Sequence, residues 1–188
     1  MDTKEDKLRI IVIVLMTISI FLGAAKMIYD KKEDKSSDGE QFSLEYKKIP
    51  STNMFKYRTL EDANNLIENG SGYFFFCNKD IVNCENYALY LYEEAQDLAL
   101  NTIYYVDIKK DKDDNTDAYK KLNELLKDKI DSIDFPLSVA VNKKEIIGAN
   151  KIIDEDYWTA DNIEKFKIEI MGYMNKISSN MCNEDCSD

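Results

Sequence analysis

The sequence predicts an α/β fold in which a mixed central sheet is covered by helices on both faces, preceded by one N-terminal transmembrane helix. Three observations carry that prediction. Apolar runs of strand length alternate with stretches of helical periodicity over roughly residues 43 to 177. The run GYFFFC at 72–77 is apolar and aromatic without alternation, as a strand buried on both faces requires. Two short strands separated by Lys143-Lys144 and followed by an amphipathic helix close the pattern, adding antiparallel partners to parallel ones.

The elements follow in order. Residues 1–9 form a charged tail, and IIVIVLMTISIFLGAA with the following Met-Ile-Tyr makes 10–29 long enough, at about 20 residues, to cross a hydrocarbon core. A cleaved signal peptide competes with this anchor, since Gly23-Ala24-Ala25 offers small residues for cleavage, but Asp2, Glu5 and Asp6 make the leading segment less basic than a usual signal. Lys4, Lys7 and Arg9 on one side nearly balance Lys26, Lys31, Lys32 and Lys35 on the other, so flanking charge does not fix the orientation. One anchor followed by a larger domain suggests export. The expectation is therefore a single-pass protein of the cell membrane with its domain on the extracytoplasmic side.

DKKEDKSSDGEQ at 30–41 reads as a solvated tether, and a single folded domain is expected over 42–177. SLEYKKI before Pro50 suggests a short strand, and TLEDANNLIENG a helix stopped by Gly70. After GYFFFC, residues 84–100 follow a helical pattern, TIYYVDI at 102–108 a buried strand, and DAYKKLNELLKDKI at 117–130 a helix with Leu122, Leu125, Leu126 and Ile130 on one face. PLSVAVN and EIIGANK form the terminal hairpin. The last helix turns Ile163, Phe166, Ile170 and Met174 inward behind a Thr159 or Asp161 cap, and 178–188 is left as a cysteine-bearing tail.

Composition excludes several functions. A net charge of -11 repels phosphate backbones, so no nucleic-acid partner is expected. With no histidine, Ser-His-Asp and Cys-His nucleophile activation and His-ligated metals are out of reach. Chemistry falls to cysteines, carboxylates, lysines or tyrosines. No cofactor and no metal are expected. The four cysteines, Cys77, Cys84, Cys182 and Cys186, permit two disulfides without specifying a pairing.

The element order, with GYFFFC, IVNC, IYYVDIKK and FPLSVAVNKKEIIG, resembles the thioredoxin superfamily over roughly residues 43–177, and most nearly the bacterial thioredoxin-like proteins described as bacteriocin transport accessory proteins. The resemblance implies a C-x-x-C at the start of the helix after the aromatic strand, and a cis-proline before the hairpin, which would be Pro136. In such families the first cysteine is exposed at the helix N-terminus and attacks as thiolate, while the second resolves the mixed disulfide. On this chain the first position is Ile81 and the second Cys84. Isoleucine forms no mixed disulfide at any pH.

Ordinary dithiol catalysis is therefore not expected. Asp80, a candidate helix cap, and Glu85 further disfavour a thiolate at Cys84. Cys77 and Cys84 are read as small buried apolar residues. The alternatives are a shifted Cys77–Cys84 disulfide, which needs alpha carbons within about 7 Å, and a lone reactive thiol at Cys84. Cys182 and Cys186 suit a local tail disulfide or two thiols.

Other motifs are weaker. Asp113, Asn115, Asp117 and Glu124 match parts of a calcium loop, but Ala118 stands where the turn glycine belongs, and a helix-capping acidic loop accounts for the same residues. Asn69-Gly70-Ser71-Gly72 precedes a strand and lacks phosphate-loop geometry. The expected role is a membrane-anchored accessory or protein-binding domain. It would hold another protein or peptide in a groove formed by Ile81, Phe135 and Pro136, with a Cys77/Cys84 thiol-disulfide oxidoreductase as the alternative.

Overall fold

A computed structural model describes residues 37–184, with side chains described to residue 177. The expected membrane segment 10–29 and most of the tether lie outside the described residues. No described helix is long and apolar enough to cross a membrane.

Helix α1 (Asp38–Glu45) corrects two expectations: residues 38–41 are not tether, and SLEYKKI is not a strand. Ser37 and Glu40 form a reciprocal capping box, the Ser37 hydroxyl accepting from the Glu40 amide and the Glu40 carboxylate from the Ser37 amide. Phe42 and Tyr46, one helical turn apart, both turn inward. Local hydrogen bonding and period 3.6 outweigh a charged composition here.

The first strand is instead β1 (Phe55–Tyr57), beyond Pro50. Helix α2 (Leu60–Asn69) starts on a Thr59 cap. Strand β2 (Gly72–Cys77), helix α3 (Cys84–Asp97) and strand β3 (Ile103–Asp107) follow where the sequence suggests them. A short helix α4 (Lys109–Asp113) was not anticipated, and α5 (Asp117–Leu126) stops before Ile130. Strands β4 (Leu137–Asn142) and β5 (Glu145–Lys151) form the hairpin. Lys143 and Lys144 both take left-handed φ, as a two-residue type I′ turn demands. After a 3₁₀ turn at Glu155–Tyr157, helix α6 (Ala160–Glu184) continues past residue 177 into the supposed tail, which contains no glycine or proline to stop it.

The sheet order is β1-β3-β2-β4-β5. Strands β1, β2 and β3 are parallel, β4 runs antiparallel to β2, and β5 antiparallel to β4. All six residues of the central strand β2 are buried. Alternate side chains feed two cores. Tyr73, Phe75 and Cys77 join Phe42, Tyr87, Leu91, Phe166, Ile170 and Met174 on the face covered by α1, α3 and α6. Phe74 and Phe76 join Leu60, Ile67, Leu122, Leu126 and Val139 on the face covered by α2 and α5.

Two helical glycines should respond in opposite directions to the same substitution. A Cβ at Gly39 would lie 2.6 Å from the Ser51 backbone oxygen, whereas one at Gly172 meets nothing within 4 Å. Gly39→Ala should destabilise by about 1–3 kcal/mol through overpacking. Gly172→Ala should stabilise by roughly 0.5–1 kcal/mol by restricting the unfolded chain. Urea midpoints check this, and shifts of the same sign would contradict the packing at Ser51.

Candidate functional site

At the C-terminal end of β2 the chain crosses residues 78–83 and enters α3. Cys77 and Cys84 are joined by a disulfide, with alpha carbons 6.1 Å apart and a sequence separation of 7. The reading of two unpaired buried cysteines is thereby corrected. The turns Ile81 N–H to Asn78 C=O (3.0 Å) and Cys84 N–H to Ile81 C=O (3.1 Å) bring the two ends of the loop close enough to bond. The expectation of burial holds: both cysteines are 0% exposed and belong to the larger core. The Cys77 carbonyl accepts from the Ile108 amide at 3.1 Å and the Tyr105 hydroxyl at 3.4 Å, and Tyr105 in turn meets the Tyr46 hydroxyl at 3.0 Å.

Asp80 does not cap α3. Asn83 holds the cap position without a side-chain cap bond, and the Asp80 carboxylate instead meets Lys109 at 2.5 Å. That hydrogen-bonded ammonium holds the Asp80 carboxyl below the usual carboxylate range. Buried Asn78 fixes the loop from below: its amide donates to both Asp107 carboxylate oxygens at 2.9 Å, and its oxygen accepts from the Asp80 amide at 3.0 Å.

The Phe135–Pro136 peptide bond is cis, and Pro136 immediately precedes β4. Lys151 pins the approach to it, donating to the Ser132 carbonyl (2.8 Å) and hydroxyl (2.7 Å) and meeting the Asp134 carboxylate at 3.2 Å. Phe135 is only 6% exposed, with Lys112 Nζ 5.4 Å from its ring centre, and Pro136 is buried. Ile81 is half-buried and packs against both cores.

A connection between the Cys84 helix and the Pro136 segment runs through Asn83, which sequence reading passed over. The Asn83 amide donates to the carbonyls of Ile152 (3.3 Å) and Asp154 (3.0 Å), and its oxygen accepts from Trp158 Nε1 at 2.9 Å. The Ile152 amide donates to the Pro136 carbonyl at 3.3 Å. One buried side chain thus ties the start of α3 to the segment after β5, and Ile152 of that segment bonds back to Pro136. The signal available in the sequence was the chain's one tryptophan. Below this junction Tyr73 and Tyr87 both meet the Ser138 hydroxyl, at 3.0 and 2.8 Å, and Tyr87 also donates to the Asn150 carbonyl at 2.9 Å.

The calcium-loop candidates fall at the end of α4, between α4 and α5, and on α5 itself. Thr116 caps α5 and Asp117 meets Lys120 at 2.9 Å, which are helix-capping and surface-pair roles. Cys182 lies near the end of α6, its side chain outside the described residues, as is Cys186. No protein-family model matches the chain, and no curated protein matches it in sequence.

Two outcomes follow. Asn83→Ala leaves two carbonyls and the indole N–H without their partner, and should cost about 2–3 kcal/mol while shifting Trp158 emission. Unchanged emission would mean that Asn83 does not hold the indole. Burial pushes Tyr46, Tyr73, Tyr87 and Tyr105 above the ordinary phenol range. Because their folded pKa values exceed the unfolded value of about 10, their stabilising contribution is complete below about pH 10 and falls as the pH rises beyond it. Denaturation followed with phenolate absorbance should show these tyrosines ionising with unfolding; ionisation ahead of unfolding would contradict their burial.

Proposed function

We propose that the described residues form a thioredoxin-like domain whose exchange chemistry has been replaced by a buried structural disulfide, and that the domain binds another polypeptide without redox catalysis. The observation that carries this reading is the complete burial of both bonded cysteines beside a half-buried Ile81. Thiol-disulfide exchange requires a thiolate to reach a disulfide sulfur along an open approach. The strand order, the cysteine at the first turn of α3 and the position of Pro136 before β4 support the thioredoxin-like assignment.

Segment 10–29 anchors the protein, with the domain on the extracytoplasmic side. An oxidising compartment, where disulfides persist, fits the bond. The interaction face is the surface around Ile81 and the Pro136 segment. Phe135 and Pro136 support it from beneath, because both are buried.

The specific observation favouring an oxidoreductase is that Cys77 and Cys84 do bond across the strand-to-helix junction. Differential alkylation with peptide mapping, on protein trapped in its native membrane, separates the two readings. The Cys77–Cys84 bond should survive mild reductant and open only in denaturant. Opening in the folded protein, with turnover of a disulfide substrate that Cys84→Ser abolishes, would establish the enzyme instead. Removing both cysteines as alanines should cost about 2.5 kcal/mol, the loop-closure value for so short a ring, and leave capture of the partner by in-membrane crosslinking intact.

A further inference from the structure

We propose that the surface bearing Val82 and Ile153 takes a basic amphipathic peptide segment, with the acidic run Asp154-Glu155-Asp156 selecting its charge. The inference rests on the polypeptide-binding reading above and adds the chemistry of the partner.

The geometry starts at Asn83, itself 4% exposed. Its two donated bonds go to the carbonyls of residues 152 and 154, so the backbone on either side of Ile153 is held against the start of α3. Ile152 is buried, while Ile153 stands 58% exposed. Val82, immediately before Asn83, is 68% exposed. The other large apolar side chains exposed among the described residues are Leu44 on α1 and Ile168 on α6. Val82 and Ile153 are thus presented on two backbone segments joined by one buried amide. Half-buried Trp158 is bonded to the same amide.

Charge sets the choice of partner. Asp80, Asp117, Asp134, Glu68, Glu93 and Glu94 each have a lysine partner. Asp154, Glu155 and Asp156 are exposed and make no ion pair among the described residues; the Asp154 carboxylate accepts from the Asp156 backbone amide, at 3.0 Å. An apolar centre beside unneutralised carboxylates is complementary to large apolar side chains interspersed with Lys or Arg. The same carboxylates, in a chain of net charge -11, disfavour acidic peptides and anionic lipid headgroups.

The chain's single tryptophan makes the test direct, because Trp158 reports from this surface. The full chain, held in zwitterionic lipid nanodiscs, is titrated with a synthetic amphipathic Leu/Lys peptide and with its Leu/Glu counterpart, against empty nanodiscs. The Leu/Lys peptide should shift Trp158 emission and weaken with added salt, while the Leu/Glu peptide should not bind. D154N/E155Q/D156N, which keeps the side-chain acceptors, should weaken the Leu/Lys peptide roughly tenfold. V82S/I153S, at exposed positions that leave the core intact, should abolish the response.

Equal affinity for both peptides, or full affinity in the neutralised variant, would overturn the charge selection. If V82S/I153S still abolished binding in that case, the polypeptide-binding reading would stand with a different partner. Binding of the Leu/Lys peptide unaffected by V82S/I153S would overturn the site. Absence of any peptide response, with in-membrane crosslinking unchanged by Ile81 and Pro136 substitutions, would remove both readings.

Discussion

Everything in this fold depends on the burial of β2 from both sides. A strand with solvent on one face can keep alternate positions polar, but here every position from 72 to 77 is buried. The helices on the two sheet faces must therefore be apolar toward β2 independently, and they are, through two separate clusters. A one-residue slip of β2 would exchange its large aromatic side chains between cores of different shape. This constraint fixes where Cys77 ends the strand, on the face covered by α3, which begins with Cys84.

The junction is held by several kinds of interaction at once. The disulfide closes the loop, Asn78 ties it to Asp107, Lys109 meets Asp80, and Asn83 fastens the helix start to residues 152–158. The exposed Lys109–Asp80 pair adds little. The buried amides contribute more: removing Asn83 leaves two backbone carbonyls and an indole N–H without that partner, and removing Asn78 does the same to the Asp107 carboxylate and the Asp80 amide. Such bracing suits a surface that presents side chains in a fixed arrangement better than a thiol site that must open to react.

The parts of the architecture that were legible are those written in local patterns. GYFFFC suited a strand buried on both faces better than a half-exposed one, the Lys143-Lys144 turn lay between two clear strands, and the inward face of α6 was correct at Phe166, Ile170 and Met174, with Ile163 half-buried. Helix α1 was misread because charge density was weighed above the Ser37–Glu40 capping box and the Phe42/Tyr46 spacing. At the site, the cysteines were recognisable as candidates, but their bond depended on how tightly residues 78–83 turn. Asn83 was invisible for a different reason. Its partners lie 69, 71 and 75 residues away, and no local periodicity announces such a side chain.

The Lys143-Lys144 turn occupies the opposite end of β4 from Pro136. Six residues of strand separate the two by about 20 Å. The turn is exposed and anchored by its backbone alone, the Lys143 amide donating to the Ser71 hydroxyl at 2.8 Å and the Lys144 amide to the Gly70 carbonyl at 2.8 Å. Neither side chain makes an ion pair among the described residues. A dye, an affinity label or a surface linkage attached at 143 or 144 would therefore hold the domain at the end of β4 opposite the braced junction.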